Sequence, residues 1–163
     1  VLEYLDKGII DFGLLFTEID AQKYEAIPVP IKDTWGVLMR NDSPLAEKEV
    51  ICPEDLWDKP LIVSHQKGDD VYLNQWLQRE ESELHIVATY NLLFNASLLV
   101  DEGLGYALCY DKLINTKGSN LCFRPFSPGL EARGFIVWKK YQVFSKAANI
   151  FLQYLREMLE TDE

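Results

Sequence analysis

The fold class is decided by two stretches of the chain, LIVSHQKG (residues 61–68) and HIVATYNLLFNASLLVDEGLGYALCY (residues 85–110). They contain compact apolar runs at 61–64, 85–90 and 105–110, which have the length and composition of strands. Helical segments separate these runs. Because strands that alternate with helices form parallel crossovers, with helices on both faces of a sheet, the two stretches predict an α/β fold.

Two helices are predicted between these strands. The first is amphipathic, carries Trp76 on its apolar side and has Asp70 as its N-cap. The second covers residues 91–102 and is apolar at nearly every position except Asn91, Asn95 and Ser97. A helix that is apolar all round is predicted to be buried. Its polar N-terminal end is predicted to face away from the hydrophobic core.

Two pairs of extended runs have no helix between their members. The first pair is 24–31 with 34–40, and the second is 121–126 with 133–138. We expect each pair to carry the chain between two separate sheets. The predicted lobes are lobe I, residues 1–40 and 127–163, and lobe II, residues 41–126.

The two ends of the chain are predicted to be helical. The first helix ends at Gly8, where a C-cap is expected, and a short buried strand follows at 11–16. Ser145 is the predicted N-cap of the last helix. Its apolar stripe consists of Ala148, Phe151, Tyr154, Leu155 and Met158.

Composition excludes several classes of protein. The chain has 163 residues, with 16 basic and 26 acidic side chains and a net charge of −10. Such a surface repels phosphate backbones, so the chain alone is predicted not to bind nucleic acid. No apolar run has the length of about 18 to 20 residues that a membrane span needs, so no membrane contact is predicted. Three scattered cysteines favour a reducing compartment.

Catalytic and metal motifs are not found in the sequence. It has no nucleophile elbow, and Ser64 and His65 are neighbours in sequence, whose side chains point to opposite faces of a strand. Gly103 and Gly105 follow a predicted helix, the reverse of the order in a dinucleotide fingerprint. His65 and His85 are the only histidines, and neither has a metal-ligand partner at the right spacing. We therefore predict no enzyme activity, no metal and no cofactor.

A binding site is predicted from the loops at the strand ends. In open parallel sheets, ligands bind beyond the carboxyl ends of the strands, where backbone N–H groups and short polar side chains converge. Such residues can hold a small polar molecule without reacting with it. The alternative, that these are ordinary polar turns, stays open. The candidate ligand-binding residues are Phe16, Thr17, Glu18, Ser64, His65, Gln66, Tyr90, Asn91, Phe94 and Asn95.

Four short motifs occur in an order that resembles LysR-type transcriptional regulators. Residues 5–14 are similar to their L-x-x-G-x-x-D-x-G-(I/L) stretch, and residues 42–46 are similar to their D-(H/S)-P-L-A turn. Residues 53–62 resemble their segment in which an acidic residue and a Leu are followed by P-(L/I)-I. Residues 100–108 match their V-x-x-G-x-G-(I/Y) turn. Each motif is short, but together they extend over most of the chain.

The resemblance implies the effector-binding, or co-inducer-binding, domain of such a regulator. Its fold would be two Rossmann-like lobes joined by two crossover strands, similar to type 2 periplasmic solute-binding proteins, with the effector in the cleft between the lobes. The family domain begins with a strand, a helix and a strand that are not found here, so lobe I would be truncated at its N-terminus. The ten candidate residues match the family's ligand loops by position.

The resemblance also implies the partners of the whole protein. It would be a bacterial, cytoplasmic homodimer or tetramer that contacts DNA only through an N-terminal winged helix-turn-helix outside this sequence. Its mechanism would be a shift between two arrangements of the lobes. A small effector would drive this shift through the difference between its binding free energies for the two arrangements, typically about 1 to 3 kcal/mol. The alternative function is a solute-binding protein of a transport system, which shares the fold.

Overall fold

The computed structural model describes residues 1–16, 19–65 and 69–160. Its contacts divide the chain into two compact units. Unit 1 consists of Val1–Lys32 with Arg133–Glu163, and unit 2 is Asp33–Ala132. The predicted lobe limits at 40 and 126 stay a prediction. In chain order the helices and strands are α1 (Leu2–Asp6), β1 (Gly13–Leu15), β2 (Tyr24–Arg40), β3 (Leu61–Ser64), α2 (Asp69–Leu77), β4 (Ile86–Tyr90), α3 (Leu93–Asp101), β5 (Tyr106–Tyr110), β6 (Leu121–Pro125), β7 (Glu131–Lys139) and α4 (Lys146–Glu160).

Unit 2 contains a mixed sheet with the strand order β6-β2-β5-β3-β4. Strand β3 is parallel to both β4 and β5, whereas β2 is antiparallel to β5 and β6. The helices α2 and α3 connect the three parallel strands. The predicted strand and helix alternation is confirmed, and so is the α/β fold class.

Alternating side chains of β3 build two cores on opposite faces of this sheet. Leu61 and Val63 pack in one cluster with Leu73 and Leu77 of α2. Ile62, which lies between them in sequence, packs in the other cluster with residues of α3. Burial of both faces explains why β3 is apolar at three consecutive positions.

Unit 1 contains β1, β7 and the first half of β2. Strand β1 pairs antiparallel with β7, and β7 lies next to β2 in the strand order. Leu5, Tyr24 and Val137 form the buried core of this unit. Helix α1 ends at Asp6, two residues before the predicted Gly8, whose φ of +67° satisfies the expectation of a left-handed C-terminal position.

Strand β2 corrects one expectation. The runs 24–31 and 34–40 are not separate, because the chain remains extended through 17 residues from Tyr24 to Arg40. Strand β2 therefore has residues in both units, as expected of a segment that carries the chain from one lobe to the other. Pro28 and Pro30 are compatible with the strand because the fixed φ of proline suits extended backbone.

Helix α3 also differs from expectation. It begins at Leu93 instead of Asn91, and it is buried on one face only. Phe94 is 59% exposed and Leu98 is 53% exposed, so the prediction of a fully buried helix is wrong. Composition alone does not decide burial, because α3 contacts the sheet on one side and nothing in unit 2 covers its other side within the residues that the structure describes.

The remaining helices agree with the sequence in part. The Ser145 hydroxyl accepts a hydrogen bond of 3.1 Å from the Ala148 N–H, as expected of an N-cap. In the stripe of α4, Ala148 is buried but Met158 is 67% exposed. Asp70 lies inside α2, which begins at Asp69, so its prediction as N-cap is wrong. Among the described residues, no helix combines the length and apolar character that a membrane crossing requires.

Candidate functional site

The carboxyl ends of β3 and β4 lie side by side in unit 2. Ser64 is paired with Tyr90 in the parallel register, and the His65 backbone N–H donates a 2.7 Å hydrogen bond to the Tyr90 carbonyl. His65 and Asn91 are exposed beyond this last pair. The structure therefore brings four of the predicted residues, Ser64, His65, Tyr90 and Asn91, to one edge of the sheet.

The Tyr90 side chain is held by the neighbouring strands. Its hydroxyl donates a 2.8 Å hydrogen bond to the backbone carbonyl of Leu108 on β5. Leu108 directly follows Ala107, the last residue of β5 that pairs with β3. Tyr90 thus links the carboxyl end of β4 to the middle of β5, and its hydroxyl proton is committed to the protein backbone.

The beginning of α3 lies next to this edge. Leu92 is the N-cap residue, and its side chain provides no capping hydrogen bond to the first turn. Phe94 and Asn95 lie in that turn and are both exposed. The backbone N–H groups of an uncapped first turn can donate hydrogen bonds to a polar atom of a ligand. The side-chain amide of Asn95 can both donate and accept hydrogen bonds.

Phe16 lies in unit 1, and its ring has a packing role there. An added Cβ on Gly134 of β7 would lie 3.2 Å from the Phe16 ring and 2.7 Å from the Val29 side chain. Because Gly134 has no side chain, the Phe16 ring and the Val29 side chain can occupy the space beside it. The predicted residues Thr17, Glu18 and Gln66 lie outside the described residues.

Asp111 and Lys112 were missed by the sequence analysis. They follow β5, which is parallel to β3, so their position at the same edge follows from the rule applied to the other two strands. The Asp111 N–H donates a 2.9 Å hydrogen bond to the Thr34 carbonyl. Lys112 has a φ of +63° and is exposed. The sequence signal that indicates this position is the pair of charged residues that directly follows an apolar strand.

The chemistry of this edge is that of binding. The exposed amides of Asn91 and Asn95 offer neutral donors and acceptors, and Phe94 offers an exposed aromatic ring. Within the described ranges, no three His, Cys, Asp or Glu side chains form a group that could hold a metal ion. The residues brought together can orient a small polar molecule through hydrogen bonds and ring contact.

Comparison with known proteins identifies relatives along the whole chain. An uncharacterized HTH-type transcriptional regulator, YvbU of Bacillus subtilis (strain 168), is 24% identical over 160 residues. The match covers 97% of this chain and 53% of YvbU, so the chain spans about half the length of this relative. The matched relatives are transcriptional regulators rather than enzymes.

Solved structures share the fold. HinK, a LysR family transcriptional regulator from Pseudomonas aeruginosa, superimposes with a TM-score of 0.78 at 18% identity, over 97% of this chain and 56% of HinK. The CcmR regulatory domain of Synechocystis PCC6803, in complex with 2-PG, has a TM-score of 0.77 at 15% identity, over 96% of this chain and 77% of that domain. The family described as LysR substrate binding domain matches residues 1–160. The chain therefore belongs to the LysR substrate binding domain family.

Proposed function

We propose that this domain binds a small-molecule effector at the carboxyl edge of the unit 2 sheet, and that binding controls transcription in the whole regulator. One observation carries the proposal: in a LysR substrate binding domain, the polar residues at the ends of β3 and β4 meet at one edge. The Ser64 and Tyr90 pair and the 2.7 Å bond from His65 to Tyr90 bring them together.

The residues divide into two roles. Tyr90 positions the edge, since its hydroxyl is bonded to the Leu108 carbonyl. Asn91 and Asn95 are exposed amides that hydrogen-bond the effector, and Phe94 packs against its apolar part. These residues are neutral, and the oppositely charged Asp111 and Lys112 follow β5 at the same edge, which favours a neutral or zwitterionic effector.

The whole regulator would act through further parts. We propose that it is a cytoplasmic homodimer or tetramer and contacts DNA through a winged helix-turn-helix. This chain carries a net charge of −10, which is unsuited to DNA contact. Effector binding would shift an equilibrium between two states of the protein, limited by the difference between the affinities of the two states. The CcmR regulatory domain, with the same fold, was solved in complex with 2-PG.

The test is isothermal titration of the protein against a panel of neutral and zwitterionic metabolites. For the metabolite that binds, Asn91→Ala and Asn95→Ala should each weaken binding about ten-fold, the effect of one or two lost hydrogen bonds. Asn149→Ala on exposed α4 is the matched control and should leave the affinity unchanged. A promoter reporter in cells should lose its response in the first two variants.

The proposal has a clear contrary result. Absence of binding across the panel, combined with unchanged reporter responses in Asn91→Ala and Asn95→Ala, would overturn it. Equal weakening by Asn149→Ala would show that the effector does not bind at this edge.

A further inference from the structure

A cavity of about 210 Å³ lies between α2 and β4, on the face of the unit 2 sheet opposite α3. Its apolar wall is formed by side chains of β3, α2, β4 and the segment that precedes β4: Val63, Leu73, Leu77, Leu84 and Ile86. Val63, Leu73 and Leu77 are all less than 10% exposed, so this wall belongs to the buried core.

The cavity adjoins the candidate effector site and extends away from it. It extends along β4 from Thr89 back to Ile86, at the amino end of the strand. Asn91, Phe94 and Asn95 lie beyond the other end of β4, and none of them lines it. Ser64 and His65 alone belong to both sets of residues, because β3 ends where the two regions meet.

The size of the cavity restricts its occupant. A dry cavity of about 150 Å³ lined by aliphatic and aromatic side chains is large enough to bind benzene. A volume of about 210 Å³ therefore holds one six-membered ring, or an aliphatic chain of similar volume, together with one short polar group. It is too small for a nucleotide or a peptide segment.

The polar lining determines which head group suits the site. Glu81 is the one carboxylate that lines the cavity among the described residues, and its side chain is exposed. Asn74 and Thr89 add neutral donors and acceptors. Lining residues with a permanent positive charge do not occur in the described part of the chain, and the chain as a whole has a net charge of −10. This electrostatic environment favours a cation and opposes a carboxylate.

We propose that the cavity is a second small-molecule site that takes a compact primary amine, with its hydrocarbon part against Leu73, Leu77 and Leu84 and its ammonium group near Glu81. The apolar part contributes most of the affinity, since burial of apolar area is the larger favourable contribution to binding. The ammonium contact is partly exposed to solvent and contributes mainly selectivity among head groups.

The test is isothermal titration of the protein with three ligands of nearly equal shape: benzylamine, benzyl alcohol and benzoate. Benzylamine should bind with one-to-one stoichiometry and benzoate at least about three-fold more weakly. Glu81→Gln should weaken benzylamine about three-fold and leave benzyl alcohol unchanged. The matched control Glu49→Gln, an exposed carboxylate elsewhere in unit 2, should change neither affinity.

Two further variants locate the ligand. Leu84→Trp should fill the cavity and abolish binding of both benzylamine and benzyl alcohol, with the melting temperature measured to establish that the variant is folded. Asn91→Ala, in the candidate effector site, should leave benzylamine affinity unchanged. Leu84→Trp tests the second site and Asn91→Ala tests the effector site, so failure of one proposal can be distinguished from failure of the other.

Three results would overturn the inference. The first is that neither benzylamine nor benzyl alcohol shows saturable binding. The second is that benzoate binds as tightly as benzylamine, or that Glu81→Gln and Glu49→Gln act alike. The third is that Asn91→Ala abolishes benzylamine binding, which would place the amine at the effector edge.

Discussion

The Tyr90 hydroxyl oxygen lies 2.8 Å from the Leu108 carbonyl oxygen, so that a side chain of β4 is bonded to the backbone of β5 although β3 lies between them in the strand order. Both strands end at the candidate effector site. This bond therefore couples the positions of Asn91, directly after β4, and Asp111, directly after β5.

Tyr90→Phe tests that coupling. The substitution keeps the ring and leaves the Leu108 carbonyl without this donor, so the free energy of unfolding should fall by about 1 to 2 kcal/mol. The measurement is urea denaturation at neutral pH. The matched control is Tyr141→Phe, because Tyr141 is 97% exposed, and this variant should be as stable as the original. Equal stability of all three proteins would show that the Tyr90 bond contributes nothing.

Gly36→Ala should destabilise unit 2 strongly. Gly36 pairs with Cys109 on one side and Pro125 on the other, and an added Cβ would collide with the Arg124 carbonyl oxygen and the Phe123 ring. Because one of these obstacles is backbone, we expect a loss of about 2 to 3 kcal/mol in the free energy of unfolding.

The control for Gly36 is Gly129→Ala. An added Cβ there meets no atom within 4 Å, so the change should be within about 0.5 kcal/mol of the original. Thermal and denaturant unfolding of both variants measure the difference. A well-tolerated Gly36→Ala would mean that β6 does not approach β2 as closely as described.

Arg40→Lys should loosen the end of α3. The Arg40 guanidinium donates two hydrogen bonds, of 2.8 and 2.6 Å, to the Asp42 carboxylate and a third, of 2.7 Å, to the Asp101 carbonyl. Lysine retains the charge but cannot reproduce this planar arrangement of donors. We expect a lower free energy of unfolding and faster hydrogen exchange in the last turn of α3.

The control for Arg40 is Arg133→Lys, since Arg133 is exposed on β7 in unit 1. Its substitution should leave exchange in α3 unchanged. If both variants exchange at the same rate as the original protein, the bond to Asp101 does not hold the helix end.

Cys109 should be the least reactive of the three cysteines. Burial raises the pKa of its thiol to about 12, from an ordinary value near 9, and the side chain is 2% exposed. Cys52 and Cys122 are partly exposed. Alkylation by iodoacetamide, followed by peptide mass spectrometry, should label Cys109 last at both pH 7 and pH 9, because the thiolate does not form in the folded state at either pH.

The same pKa shift predicts the direction of a stability change at high pH. Between pH 9 and pH 12 the unfolded chain releases the Cys109 proton while the folded chain retains it. The contribution of this group to folding stability should therefore decrease as pH rises through that range. Cys109→Ala should reduce this part of the pH dependence in denaturation measurements. Early alkylation of Cys109 would contradict the burial that underlies both expectations.

Local sequence signals located most of the elements correctly. Strand β3 has the bounds that its apolar run predicts, Leu61 to Ser64, and Ser145 caps α4 as its hydroxyl and position indicate. Such signals depend on periodicity, caps and turns within a few residues, so they can be detected in the chain alone. The same signals placed Ser64 and Tyr90 at strand ends, from which their proximity in a parallel sheet follows.

Features that depend on distant parts of the chain could not be predicted. Leu98 was expected on a buried helix and is 53% exposed, because burial depends on what packs against each face. The packing of the Phe16 ring over Gly134, more than a hundred residues later in the chain, is another such feature.

The α/β class, the order of strands and helices, and the loops that follow the parallel strands can all be inferred from the amino-acid sequence, since they are local properties of hydrophobic pattern and turn chemistry. Three features became visible only in the folded chain: β2 is one strand with residues in both units, Tyr90 is bonded to Leu108, and a cavity remains beside Leu84. Each of these depends on how closely segments far apart in the chain approach one another, and side-chain packing sets that distance.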